Sequence, residues 1–401
     1  MCTDAGKSLM PVLCHRMASS GPLKGLRVVE LATFIAGPFA SRLLADLGAD
    51  VIKVEQPGAG DPFRTFSGGG YSPHFVAYNV NKRSITLDTH SEIGKLVMRR
   101  LLERADVFVE NFRPGVMARM GLDYECVKDW NRRLIYCSIT GFGQSGPYRD
   151  RPSYDGVGQG MSGLTGQLVT ADRPRIVGPA FSDCMTGMTG AYAILAAVYA
   201  RQQTGQGQYI DLSMVAATAG FLASEVSNYF QTGEPGDPRV RARASQSFAL
   251  PCADGKLITV HVSGSEKFTI GLLEAVNRLD LLEDERFKTR PDRVKNFDAF
   301  EELLQAEFRK RSRAEWEPIL QEHDVPFAPV YSFEDMFADP HVQHLGLKLD
   351  TTHPEKGALS TIAPAPKFSA TPADGHQPPP TIGQHTAEIL QELGLQDLPR
   401  V

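Results

Sequence analysis

Gly25-Leu26-Arg27-Val28-Val29-Glu30-Leu31, then Ala36-Gly37-Pro38, then Asp46-Leu47-Gly48-Ala49-Asp50-Val51-Ile52-Lys53-Val54, is the stretch that decides the fold. Leu26 to Leu31 is predicted as a short apolar strand. Gly37-Pro38 starts a helix, the proline sitting in the first turn where its missing N–H costs nothing. Phe39, Leu43, Leu44 and Leu47 share one helix face, and Gly48 ends the helix. Val51 to Val54 reads as the second strand. The alternation continues with Ser84 to Leu87 as strand, Ser91 to Ala105 as amphipathic helix, and Asp106 to Glu110 and Leu134 to Thr140 as strands. Further on, Gln208 to Leu212 reads as a strand and Val215 to Phe230 as one long helix. This pattern predicts an α/β fold, a doubly wound parallel sheet whose ligands bind at the carboxyl ends of the strands. No G-x-G-x-x-G follows the first strand, so the usual dinucleotide fingerprint is absent. Gly68-Gly69-Gly70 lacks the Lys-Ser/Thr of a P-loop and reads as a hinge or flap.

The 401 residues are enough for two or more domains. Apolar residues at 42% and charged residues at 22% are ordinary for a globular protein, and a net charge of −5 argues against a nucleic-acid partner. No apolar run approaches the ~20 residues that span a membrane. Residues 1–20 are too short in apolar content and too broken by Pro11 for a secretory core, and are expected to be a mobile tail or to precede the true start. Cys2, Cys14, Cys126, Cys137, Cys184 and Cys252 lack metal-ligand or disulfide spacing, which fits free thiols in a reducing cytoplasm.

A lone carboxylate, Asp183, stands in Ala180-Phe181-Ser182-Asp183-Cys184-Met185-Thr186-Gly187, where an apolar helix begins. There it faces unpaired backbone N–H groups and the positive end of the helix dipole, and is expected to stay ionised. The residues alone leave two readings open, a helix cap or a nucleophile. Neighbouring Cys184 has no evident His partner and reads as a small buried hydrophobe.

In the second half, Gly233 to Ala244 is polar and carries Arg239, Arg241 and Arg243, reading as a linker or exposed loop. Ala253-Asp254-Gly255 between two apolar runs predicts a hairpin. Ser312-Arg313-Ala314-Glu315 predicts a capping box, and a last helix is expected near Thr386 to Leu393.

Several ordered segments resemble the family III CoA-transferases, the CaiB/BaiF family. They include the opening stretch through Glu55, Asn81-Lys82-Arg83-Ser84, Val109-Glu110-Asn111-Phe112-Arg113-Pro114-Gly115 and Thr140-Gly141-Phe142-Gly143-Gln144. Thr204-Gly205-Gln206-Gly207-Gln208, Asp339-Pro340-His341-Val342 and Gly383-Gln384-His385-Thr386 extend the resemblance to about residue 395. It implies a Rossmann-like large domain made from both ends of the chain, residues 21–232 and 326–401. A smaller α+β domain, 233–325, would be inserted, and two ring-like chains would interlock as a homodimer. It also implies an enzyme that moves CoA from an acyl-CoA to a free carboxylic acid, with acyl-CoA as substrate and no metal or permanently bound cofactor.

The family's catalytic aspartate falls on Asp183, and its CoA contacts fall on Ile35, Ala36, Leu87, Asp88, Thr89, His90, Asn111, Phe112, Arg113 and Arg119. Lys82, Arg83, Arg64 and Arg149 are further candidates for the CoA phosphates, a solvated surface charge being the alternative for each. Tyr154 and Asp155 are expected at the acyl pocket, with a buried structural Tyr the alternative. His385 reads as structural, His74 and His90 as surface or CoA-adjacent, and no histidine as catalytic. The α-methylacyl-CoA racemases share the fold but place a His where this chain has Tyr154, a poor base at an ordinary pKa near ~10. Oxalate-using members carry a Gln where this chain has Ile35. The stretch from Ser138 to Pro147 looks more like members that use dicarboxylates such as succinate or glutarate, and Arg239, Arg241 or Arg243 is a candidate cation for a second carboxylate.

Overall fold

A computed structural model describes residues 20–68 and 71–398. The expected tail through residue 19, with Cys2 and Cys14, and the Gly69-Gly70 part of the glycine loop lie outside the described residues. Two compact units emerge. The larger takes the chain through Ser162, then Pro179–Phe221, and resumes at Leu347; the smaller takes Gly163–Gly178 and Leu222–Gly346.

The larger unit alternates strand and helix as β1 (Arg27–Leu31), α1 (Ala36–Asp46), β2 (Asp50–Glu55), α2 (Pro73–Asn79), β3 (Lys82–Thr86), α3 (Glu92–Glu103) and β4 (Val107–Glu110). It continues through α4 (Val116–Met120), α5 (Tyr124–Val127), β5 (Ile135–Thr140), α6 (Asp155–Met161), α7 (Phe181–Thr204), β6 (Tyr209–Ser213) and α8 (Met214–Phe221). The six strands form one parallel sheet in the order β3-β2-β1-β4-β5-β6. The order reverses between β1 and β4, so a crevice opens beyond Leu31 and Glu110, where such sheets hold ligands.

Period-two alternation explains why both faces are covered. Val29, Leu31, Ile52, Val54 and Phe108 pack with Val97, Met98 and Leu101 of α3. Val28, Val51, Val107 and Val109 pack with Ala40 and Leu44 of α1 and Ile194 of α7. The small residues of α7 let it lie close to its neighbours. A Cβ on Gly187 would come within 2.9 Å of Phe39 and 3.0 Å of the Ala36 carbonyl oxygen. A Cβ on Gly158 of α6 would sit 2.2 Å from the Ser182 hydroxyl. These two glycines bring the starts of α1, α6 and α7 together at the crevice.

The smaller unit holds α9 (Ala223–Thr232), α10 (Val240–Ser245), β7 (Ser247–Pro251), β8 (Leu257–His261), α11 (Glu266–Ala275), α12 (Arg290–Lys295), α13 (Phe297–Phe308), α14 (Arg313–Glu322), β9 (Phe327–Pro329), α15 (Phe333–Ala338) and α16 (Pro340–Leu345). Phe248, Leu250, Ile258, Val260, Phe300 and Trp316 form its core. The hairpin β7–β8 and the Ser312–Glu315 capping box form as expected. In the returning segment, β10 (Lys348–His353) pairs antiparallel with β11 (Gly357–Ile362). The final helix α17 (Thr386–Leu393) buries Ile389, Leu390 and Leu393 in the same core as Ile85. Just before it, the His385 Nδ1 accepts the Ser84 N–H at 3.1 Å, a structural role.

Three local expectations are corrected. The expected helix from Val215 to Phe230 breaks at Leu222, just after Gly220-Phe221, into α8 and α9. The polar stretch 233–244 is not wholly a loop, because Val240–Ser245 is helical; Arg239 pairs with Glu301 at 2.6 Å and Arg243 pairs with Asp237. The unit boundary also differs from 325/326, since β9 pairs with β8 and keeps the chain in the smaller unit to Gly346.

Beneath the β1–α1 turn lies a buried ionic cluster. Register sets Glu30 opposite Lys53. The Lys53 ammonium reaches Glu30 at 2.6 Å, Asp61 at 2.8 Å and the Ala32 carbonyl at 2.9 Å. Lys82 joins Glu30 at 2.7 Å and donates to the Pro38 carbonyl at 2.8 Å. Burial alone would push Glu30 up, but Lys53 and Lys82 outweigh it and hold the carboxyl at about 2. Burial, together with the Lys53 charge, pulls Lys82 down to about 8 against the attraction of Glu30. Arg64 forks onto Glu55 at 2.7 and 2.6 Å, and Ser84 donates to Glu55 at 2.6 Å. Replacing Lys53 by Met leaves two buried carboxylates short of their cation and should lower unfolding free energy by about 3–5 kcal/mol. Urea denaturation checks this; a loss of about 1 kcal/mol or less, typical of an exposed pair, would mean the cluster is not structurally dominant.

Candidate functional site

The turn Ala32-Thr33-Phe34-Ile35 links β1 to α1 at the reversal of strand order. It is fastened from both sides by side chains. Asn111, one residue past β4, accepts the Thr33 N–H at 2.9 Å and donates to the Thr33 carbonyl at 2.8 Å. Asp61 accepts the Phe34 N–H at 3.2 Å and the Phe63 N–H at 2.9 Å on one oxygen while Lys53 holds the other. Phe34 adopts φ +64, a left-handed conformation that costs a bulky residue energy and persists only under such constraint. Its ring meets Tyr154 edge-on at 5.9 Å and Phe63 at 5.5 Å.

Two cavities open beyond this turn and share Thr33 and Phe112. One, about 660 Å³, is lined by Leu87, Asp88, Thr89, His90, Phe112 and Arg119 among others, with Lys53, Glu55 and Asp61 at its wall. The other, about 290 Å³, is lined by Phe34, Ile35, Ala36, Asn111, Arg113, Arg149, Arg151, Tyr154 and Asp183 among others. Thus Leu87 to His90 and Arg119 gather at one cavity, and Ile35, Ala36, Asn111, Arg113 and Tyr154 gather around Asp183 at the other. Ile35 caps α1 through its backbone, and Asn111 doubles as the clamp on the turn. Asp155 stands behind Asp183 instead of on the cavity wall: it accepts the Asp183 N–H at 3.2 Å and the Gln159 amide at 2.5 Å.

Asp183 is the third residue of α7, and the cap position is Ala180, whose side chain makes no capping bond. No described residue donates a hydrogen bond to the Asp183 carboxylate. Burial, reinforced by the negative charge of Asp155, pushes its pKa up to about 7. The expectation that the helix start would keep it ionised is therefore corrected: the dipole acts, but desolvation outweighs it. Beside it, the Tyr78 hydroxyl lies 3.7 Å from the Cys184 sulfur, and burial raises both groups.

The basic candidates divide. Lys82 and Arg64 are committed to the buried cluster, and Arg83 bridges Asp50, Glu388 and Glu392 at 2.7–2.9 Å, so none of the three is free for a phosphate. Lys82 and Arg83 stand on β3, and Arg64 ends the short helical turn Pro62–Arg64 that Asp61 caps, so each side chain is directed at buried or facing carboxylates. The side chains of Arg113 and Arg119 make no hydrogen bond or ion pair with a described residue and stand exposed at the cavities. Sequence reading missed Phe34, Asp61 and Arg151. Asp61 carries a weak signal, an Asp before Pro62 at a turn; a left-handed Phe carries none.

Comparison with known proteins places this geometry. A family-wide profile described as CoA-transferase family III matches residues 23–386. The succinate–glutarate CoA-transferase of Agrobacterium fabrum is 37% identical, over 93% of this chain and 96% of its own length. The succinyl-CoA:glutarate CoA-transferase of Mus musculus is 34% identical, over 94% of this chain and 87% of its own. A crystal structure of a CaiB/BaiF family protein from Brucella suis superposes with a TM-score of 0.82 at 36% identity, over 93% of this chain and all of that one. Fold, ordered motifs and relatives agree, and the chain belongs to CoA-transferase family III.

Proposed function

We propose that this CoA-transferase works through Asp183 as a covalent nucleophile and that its acids are small dicarboxylates. The observation that carries the reading is convergence: an unpaired carboxyl at the start of α7 faces the same cavity as Ile35, Ala36, Asn111 and Arg113. The larger cavity suits the nucleotide and pantetheine arm of CoA, with exposed Arg119 available to its phosphates. Ionised Asp183 attacks the donor thioester carbonyl, forming an aspartyl–acyl anhydride and releasing CoA thiolate. The thiolate attacks the aspartyl carbonyl, giving an aspartyl-CoA thioester and the first free acid. The acceptor carboxylate attacks that thioester and frees the thiolate again. Attack of the thiolate on the new acyl carbonyl yields the product acyl-CoA and restores Asp183.

The names of the Agrobacterium and mouse relatives support a succinyl donor and a dicarboxylate acceptor, in keeping with the Ser138 to Pro147 stretch. Proton exchange at the α-carbon is disfavoured, because Tyr154 replaces the second base such a reaction requires. A homodimer is supported by an exposed apolar face on the larger unit. Met188, Tyr192 and Tyr199 fall on one face of α7 by their helical spacing and are 59–69% exposed, an apolar stripe of the kind that marks an interface. Light scattering should give twice the chain mass, and Tyr192→Asp should shift it toward one.

Hydroxylamine added with succinyl-CoA should inactivate the enzyme and convert Asp183 to a hydroxamate. A peptide containing Asp183 that stays unmodified would sink the covalent mechanism. Asp183→Asn should cut turnover by at least about 10³-fold.

The raised pKa sets the pH response. Only the carboxylate attacks, so turnover of free enzyme should fall about tenfold per pH unit below about 7. Between about 4 and about 7 the folded chain holds a proton at Asp183 that the unfolded chain has lost, so stability falls as pH rises through that window. Asp183→Asn should therefore melt higher than the wild type at pH 8 and equally at pH 4; an unchanged difference at the two pH values would contradict the assigned burial.

A further inference from the structure

A diacid acceptor brings a second negative charge into a cavity that already holds Asp183 with Asp155 behind it. At short range in a partly desolvated site that charge needs a cation to offset it. The three arginines expected for this purpose from sequence belong to the smaller unit, and Arg239 and Arg243 are already paired. The cavity of Asp183 has its own set of arginines. Arg113 and Arg149 also border a neighbouring cavity with Glu110 and Tyr209, and Arg149 has Asp150 at 3.4 Å. Arg151 lines only the Asp183 cavity among those described, and its side chain makes no hydrogen bond or ion pair with a described residue.

Arg151 is nevertheless held in place. Its guanidinium carbon lies 3.7 Å from the centre of the Tyr148 ring, a stacked cation–π arrangement. Its backbone N–H donates to the Tyr148 carbonyl at 2.9 Å, and Pro152 follows. Stacking occupies the face of the guanidinium and leaves the N–H edge open. A planar fork of donors with its face supported is the arrangement that binds a carboxylate through two parallel hydrogen bonds.

We infer that Arg151, stacked on Tyr148, receives the distal carboxylate of a dicarboxylate acceptor while its proximal carboxylate reacts at Asp183. The inference rests on the transferase reading above and assigns the residue that selects diacids over monoacids.

Steady-state transfer from succinyl-CoA is measured to glutarate and to valerate, which differ by the distal carboxylate. The donor half-reaction is common to both arms and cancels in their ratio. Arg151→Gln should lower kcat/KM for glutarate about 10- to 100-fold, the worth of charge-assisted hydrogen bonds at 1.4 kcal/mol per decade. The loss should lie mainly in KM, and valerate should be unaffected or improved. Tyr148→Leu should give a smaller loss of the same kind, and Tyr148→Phe should keep wild-type selectivity. Arg151 is exposed, so these variants should keep the wild-type melting temperature. Equal loss toward both acids, or unchanged kcat/KM for glutarate, overturns the assignment while leaving the transferase reading intact. No transfer by the wild type to any acid removes that reading, and this inference with it.

Discussion

Lys53 is the constraint from which the rest of the larger unit follows. It sits fully buried between Glu30 and Asp61 and binds the Ala32 carbonyl as well. Two carboxylates and one ammonium taken out of water are costly unless every partner is placed. The geometry of β1, β2 and the turn beyond them is thereby fixed together. Asp61, held by Lys53, in turn fastens Phe34 in a conformation it would not choose. On the opposite side Asn111 spans the switch point to Thr33. Both cavities hang on this turn.

This explains why the glycine fingerprint of dinucleotide-binding sheets is missing although the strand order is theirs. In that fingerprint glycines let the backbone make a tight turn close to a pyrophosphate. Here Ala32-Thr33-Phe34-Ile35 makes the turn, and the side chains of Asp61 after β2 and Asn111 after β4 offset its strain. The closeness that glycine provides appears elsewhere, at Gly187 and Gly158, where α7 meets α1 and α6. Small residues at the start of α7 were legible in the sequence as a helix of small side chains. Their purpose was not, because it depends on which helices lie against them.

Periodicity made the parallel strands, the helix starting at Gly37-Pro38 and the last helix legible, and motif order singled out candidate residues that the fold gathers at two cavities. Charge was the poorest guide. Lys53, Lys82 and Arg64 look like ordinary surface cations in one dimension, and only strand register shows Glu30 facing Lys53 across β1 and β2. Asp183 was singled out from sequence as a candidate, but its expected ionisation does not match its surroundings. A helix terminus is worth about 0.3–1 kcal/mol to a charge, less than one pK unit at about 1.36 kcal/mol. A rise from the ordinary 3.8 to about 7 is larger than that, so burial and Asp155 decide the outcome.

That raised pKa bears on the direction of the proposed reaction. An ordinary carboxylate attacking a thioester must expel a thiolate far more basic than itself, since thiols ionise near ~8.5. A carboxyl raised to about 7 narrows that gap and attacks more effectively. In the anhydride that follows, CoA thiolate can attack either carbonyl. Attack on the substrate carbonyl expels Asp183, now a poor leaving group, and returns the starting thioester. Attack on the aspartyl carbonyl expels an acid of ordinary strength and carries the reaction forward. In the proposed cycle the basicity that the desolvated pocket and the Asp155 charge give Asp183 thus favours the first attack and release of the donor acid. It works against the last step, where CoA thiolate must expel Asp183 from the acceptor anhydride. The helix start serves to aim the carboxyl more than to ionise it.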